Sequence, residues 1–132
     1  MPKVTALKLH TKSRTLEVHF DSGERHDLPL EYLRVFSPSA ELRGHGLPEP
    51  ILAGGKRNVG VARIDPVGQY AVRLAFDDGH DTGLYSWAVL HDLATNRERN
   101  WARYLERLEE VGMSRDRDVV KLAALVKQYK PS

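Results

Sequence analysis

Between Tyr70 and Trp87 the chain spells a strand, a turn, a second strand and the start of a helix, and no other stretch limits the fold as much. Tyr70, Val72, Leu74 and Phe76 alternate with Ala71, Arg73 and Ala75, the period-two pattern of a half-buried strand. The strand stops at Asp77-Asp78-Gly79. A two-residue loop at Asp78-Gly79 would set Phe76 opposite Asp81 and Arg73 opposite Leu84, mixing apolar and charged residues on both faces. A three-residue loop with Gly79 left-handed instead pairs Phe76 with His80, Leu74 with Thr82 and Val72 with Leu84, and that register is expected. It places His80 at the open end of the apolar face, beside Phe76 and within reach of Asp77, Asp78 or Asp81. His80 is then either a turn-end histidine bonded to a neighbouring carboxylate or backbone group, or a member of a site. Ser86 is placed to cap a helix that carries Trp87, Leu90 and Leu93 inward.

Phe20-Asp21-Ser22-Gly23 repeats this turn earlier in the chain. It follows strands at Val4 to Leu9 and Leu16 to Phe20, and the same loop pairs Val18 with His26 and Leu16 with Leu28. Aligning the two turns aligns Leu28 with Leu84, and each unit then enters a helix, at Pro29 or at Trp87. The pattern reads as an internal duplication of a hairpin-helix unit, with chance similarity of two short hairpins as the other explanation. The expected fold is α+β, a small and mainly antiparallel sheet built from two hairpin-helix units with a C-terminal helical hairpin. Residues 1–93 form the domain, and 94–132 form a helical extension packed on it.

With 132 residues, 41% hydrophobic and 29% charged, the chain suits one soluble domain. Zero cysteines exclude disulfides, thiolate nucleophiles and thiolate-held metals, so any metal must be held by histidines and carboxylates. Twenty basic residues stand against 18 acidic ones, a net charge of +2 that gives no argument for nucleic acid. No apolar run is long enough to span a membrane and the N-terminus carries no signal-like segment, so a cytoplasmic protein is expected.

From Ser37 to Asn58 prolines and glycines break any regular element, and such a connection is usually functional or mobile. Within it, Leu42-Arg43-Gly44-His45-Gly46 leaves His45 between two glycines. Gly54-Gly55-Lys56-Arg57 lacks the spacing of a phosphate loop. Val59 and Val61 begin a strand toward Ile64, and Asp65-Pro66-Val67-Gly68 reads as a type I turn. Thr95 and Glu98 have capping-box spacing ahead of an apolar stripe of Trp101, Tyr104, Leu105, Leu108 and Val111, which Gly112 ends. Arg99, Arg103 and Arg107 line the other side of that helix, read as a solvated face. A last helix is expected from Ser114, with Val119, Leu122, Val126 and Tyr129 on one side; it packs back as a hairpin or serves as a dimer contact.

Tyr32-Leu33-Arg34, Ser37-Pro38-Ser39-Ala40-Glu41, Gly55-Lys56, Ile64 through Arg73 and, above all, Phe76-Asp77-Asp78-Gly79-His80-Asp81-Thr82-Gly83-Leu84-Tyr85-Ser86-Trp87 resemble the gamma-butyrobetaine hydroxylase-like N-terminal domain family. The resemblance covers about residues 3 to 93, and the helical tail looks like that of small stand-alone bacterial members. In full-length hydroxylases this domain precedes an iron and 2-oxoglutarate dioxygenase domain and holds a structural zinc through three cysteines and one histidine. The histidine falls on His80, and the cysteines fall on Ser37, Ser39 and Leu42, which supply no thiolate. The resemblance therefore implies neither the zinc nor the dioxygenase activity. His19-Phe20-Asp21 matches the His-x-Asp of an iron triad in form alone, since it runs through a strand into a turn. A related domain is fused to P-loop ATPases that carry iron–sulfur clusters.

The expected function is a non-catalytic interaction module in iron or iron–sulfur metabolism. Its partner would be a protein, with an iron–sulfur carrier ATPase as the named candidate, recognised through Arg34, Arg43, His45, Lys56 and Arg57. The alternative is a metal-binding protein or metal-dependent enzyme, with a single zinc or iron ion held by His80, His45, Asp78 and Asp81. No catalytic residues are assigned. Nucleic acid and membrane are not expected as partners, and the C-terminal helices leave a homo-oligomer open.

Overall fold

The computed structural model describes residues 2–38 and 51–116. Strands β1 (Val4–His10), β2 (Thr15–Phe20) and β3 (Arg25–Pro29) form one antiparallel sheet in that order and lead into α1 (Leu30–Val35). Strands β4 (Val61–Val67), β5 (Ala71–Phe76) and β6 (Gly83–Ser86) form a second, leading into α2 (Trp87–Thr95) and then α3 (Arg97–Val111). The fold is α+β, with each hairpin-helix unit building its own three-stranded sheet.

Alternation decides which face of each sheet is buried. Leu16, Val18 and Phe20 of β2 meet Val72, Leu74 and Phe76 of β5 in one core, joined by Leu28, Leu30, Tyr32, Leu33, Val59, Tyr85, Leu90 and Leu93. Each fully buried large apolar side chain there contributes about 1.5–3 kcal/mol. Ser86 caps α2 as expected, its Oγ accepting from the Val89 N–H at 3.1 Å.

The two units match in detail. The N–H of Phe20 donates to Glu24 O and that of Phe76 to His80 O, each at 2.9 Å, while Gly23 and Gly79 close the turns at φ +92° and +91°. Both first strands shift register once, between Val4 and Ala6 and between Val61 and Arg63. Lys3 O and Gly60 O accept from Asp21 and Asp77, the residues that follow the two phenylalanines. The duplication read from the sequence is therefore a duplication of structure.

The first hairpin has the expected register, Val18 opposite His26 and Leu16 opposite Leu28. The second keeps the expected turn but not the pairing beyond it. Leu74 faces Gly83, Arg73 faces Leu84 and Val72 faces Tyr85. One extra residue is accommodated between His80 and Gly83, so every later side chain changes face. Tyr85 takes the buried place assigned to Leu84, and Leu84 is exposed. Asp65, Pro66 and Val67 lie within β4, so the turn falls instead at Gly68-Gln69-Tyr70 and leaves Tyr70 exposed.

The capping box at Thr95 and Glu98 does not form. Helix α2 runs through Thr95, and the Asn96 amide turns back to Asp92 O and Oδ1 at 3.1 and 2.9 Å. Gly112 ends α3 at φ +70°. Tyr104 and Leu108 are buried with Val35, whereas Leu105 and Val111 are exposed, which narrows the expected stripe. On the other side Arg103 pairs with Glu106 and Glu110. The chain after α3 returns to the domain: Ser114 O accepts from Gly55 N at 2.8 Å, and Arg115 grips buried Glu31 through two bonds of 2.8 and 2.6 Å. The helix expected over Val119, Leu122, Val126 and Tyr129 lies outside the described residues. Among the described residues no helix is long and apolar enough to cross a membrane.

Candidate functional site

The β5–β6 turn gathers two distant segments. Asp78 sits at its tip, Arg34 reaches it from α1, and Lys56 reaches it from the chain leading to β4. Asp78 Oδ2 accepts from Arg34 Nε at 2.8 Å and from Lys56 Nζ at 2.6 Å, and Oδ1 accepts from the His80 backbone N–H at 3.1 Å. The three side chains are 15%, 22% and 20% exposed for Arg34, Lys56 and Asp78. Burial opposes the charge on Asp78, but Lys56, the His80 N–H and Arg34 outweigh it and hold the carboxyl at about 2.

His80 lies two residues further on, half-buried against the Phe76 ring at 6.1 Å between centroids. Its Nε2 is 2.9 Å from Ser37 Oγ, and one of the two donates whichever tautomer is present. Burial, with the charges of Arg34 and Lys56, moves the imidazole below its ordinary value against the pull of Asp78 and Asp81. The neutral ring is thereby favoured.

Ser37 is itself enclosed. A Cβ on Gly83 would stand 2.5 Å from its Oγ and 3.0 Å from the Tyr85 ring, so any side chain at this inward position of β6 forces Ser37 to shift. The Tyr85 hydroxyl donates to Leu33 O, and its burial raises the phenol well above the usual range. Ser37–His80 and Lys56–Asp78 thus fasten both described ends of the connection after α1 to the same turn.

The structure brings together Arg34, Lys56, Asp78 and His80 from the residues singled out in the sequence. Asp81 is exposed beside them, Arg57 pairs instead with Asp116, and Arg43 and His45 lie outside the described residues. A zinc ion at the positions where full-length hydroxylases hold one does not fit the chemistry of Ser37 and His80. A hydroxyl replaces a thiolate and is spent on the imidazole, and two cations stand next to the ring. Among the described residues, the three metal-ligating side chains whose atoms converge lie elsewhere: His10, Glu17 and Asp27, on the first sheet. Sequence reasoning passed over these; the signal was strand alternation, which puts Glu17 and Asp27 on one face once the hairpin register is known.

Comparison with known proteins bears on the whole arrangement. The family model described as gamma-butyrobetaine hydroxylase-like, N-terminal, matches residues 7–91, which includes both hairpins and the His80 turn. The chain belongs to that family. The gamma-butyrobetaine hydroxylase-like N-terminal fold is shared with a protein solved in solution by NMR, 54% identical, with a TM-score of 0.78 over 92% of this chain and 91% of the other. A second NMR structure is 48% identical, with a TM-score of 0.79 over 92% of this chain and 96% of the other. A crystal structure from Acidithiobacillus ferrooxidans ATCC 23270, of unknown function and assigned to the DUF971 family, is 36% identical with a TM-score of 0.59. It covers 70% of this chain and 92% of the other. Residues of the chain are also 33% identical, over 97 positions, to an envelope glycoprotein C homolog of Suid herpesvirus 1, a match spanning 73% of this chain but 20% of that protein.

Proposed function

We propose that this member of the gamma-butyrobetaine hydroxylase-like N-terminal family is a non-catalytic interaction module that serves iron or iron–sulfur metabolism. The observation that supports this reading is the clasp at the β5–β6 turn. Asp78 is held by two cations and a backbone N–H, and His80 Nε2 by Ser37, so these groups are engaged within the chain rather than directed at a substrate. A clasp of this kind fastens the described ends of a long connection to a rigid sheet, the arrangement by which scaffolds present recognition segments. Lys56 and Arg57 stand on the described part of that connection, and Arg34 of α1 shares Asp78 with Lys56. The partner class is an iron–sulfur carrier ATPase, as the resemblance to ATPase-fused domains implies.

Calorimetric titration of the full chain with such an ATPase tests the proposal. A specific complex is expected, weakened at least about tenfold (roughly 1.4 kcal/mol) in an Arg43→Glu, Arg57→Glu double variant whose melting temperature matches wild type. Absence of binding, or binding indifferent to both reversals, would refute it.

A further inference from the structure

Glu17 is an unusual residue on the first sheet. Leu16 and Val18 face the core, so alternation turns Glu17 and His19 to the opposite face, where β3 sets Asp27 and Arg25 directly across from them. His10, opposite Thr15 on β1, is the diagonal neighbour of Glu17. Although it faces outward, Glu17 is 8% exposed, because polar side chains close over it. His10 Nε2 lies 2.9 Å from Glu17 Oε1, His19 Nε2 meets Oε2, and Arg25 reaches Oε1 at 3.2 Å and Asp27 Oδ2 at 3.6 Å. One ligating atom from each of His10, Glu17 and Asp27 lies within 4.8 Å of the other two.

We propose that this face of the first sheet is a binding site for one divalent first-row transition ion. His10, Glu17 and Asp27 supply the ligands, and His19 holds the second oxygen of Glu17 and so orients the carboxylate. The donor set is one imidazole and two carboxylates without sulfur, a combination that suits zinc, iron(II) or manganese(II). Ligand atoms bound at about 2.0–2.2 Å from one ion lie roughly 3–3.5 Å apart. The cluster, within 4.8 Å, must draw in to reach that size, a change that side-chain rotation on a fixed sheet would supply. Hydrogen-bonded partners behind a ligating carboxylate, the position His19 occupies, are the usual means of fixing its direction.

Charge supports the same conclusion. The space between the Glu17 and Asp27 carboxylates already draws a cation, the Arg25 guanidinium, whose side chain is 57% exposed and able to swing into solvent. The metal would take the place of that guanidinium. Lys8, opposite Glu17 on β1, would remain at the edge of the site, as would Arg97, whose Nη1 donates to Asp27 O at 2.9 Å.

The test is zinc titration of the full chain by calorimetry, paired with ¹H–¹⁵N spectra recorded during addition of substoichiometric manganese(II). One zinc per chain is expected, weakened about tenfold or more in His10→Ala and in Asp27→Asn, tightened in Arg25→Ala, and unchanged in His80→Ala. Manganese should broaden amides around Glu17 and Asp27 first. No zinc binding at millimolar concentration would overturn the proposal, leaving a hydrogen-bonded ion network. So would binding indifferent to His10→Ala and Asp27→Asn, broadening centred on another histidine, or a weaker complex in Arg25→Ala.

Discussion

Replacing Asp78 with alanine is expected to lower the unfolding free energy by about 2–3 kcal/mol. The carboxylate compensates Arg34 and Lys56 and satisfies the His80 N–H, and removing it strands two cations that are 15% and 22% exposed. Loss of one partner from a fully buried pair costs about 3–5 kcal/mol, and residual solvation of these side chains reduces that figure. A loss below about 1 kcal/mol in urea denaturation would show an ordinary surface ion pair. Acid should reach the same state in the wild type. The folded carboxyl is held at about 2, below its ordinary value, so its contribution is complete above the unfolded value of 3.8 and is lost as the pH falls through about 2. Between pH 5 and pH 2 the stability of wild type is expected to fall further than that of Asp78→Asn.

Gly83→Ala is expected to cost about 1–3 kcal/mol, the range for overpacking a filled interior. The added methyl would stand 2.5 Å from Ser37 Oγ and 3.0 Å from the Tyr85 ring, and relieving it requires moving Ser37 away from His80. The His80 ring resonances should therefore shift in the variant. Gly23→Ala provides a contrast: nothing lies within 4 Å of its Cβ, and the strain comes from φ +92° alone. Unchanged stability and unchanged His80 resonances in Gly83→Ala would mean that β6 yields at this point.

These two residues also show where the sequence is readable. The first hairpin is legible because Leu16 faces Leu28 and Val18 faces His26 without interruption up to the turn at Phe20, so only one register buries the apolar set. The second turn is legible for the same reason up to His80. Beyond it, alternation alone favours Leu84 inside, and the extra residue before Gly83 becomes necessary only because Ser37 occupies the space that a side chain there would fill. Nothing local announces that contact. Arg34, Lys56, Asp78 and His80 each stand out from the chain, but their convergence depends on how α1 and the chain leading to β4 meet the second sheet. Glu17 was the reverse case. Its register was available from the sequence, but a lone glutamate between leucine and valine reads as the solvent side of a strand, and its near-complete burial arises from His10, His19 and Arg25 closing over it.

The His80 turn, as proposed, is a clasp within a binding module rather than a metal centre. The direct measurement is elemental analysis of the untagged chain, purified without chelator, alongside its His80→Ala and His10→Ala variants. The clasp predicts that whatever metal the wild type carries per chain is retained in His80→Ala, and the site proposed on the first sheet predicts that it is diminished in His10→Ala. Near-stoichiometric metal that is lost on replacing His80 would contradict it and return the turn to metal chemistry.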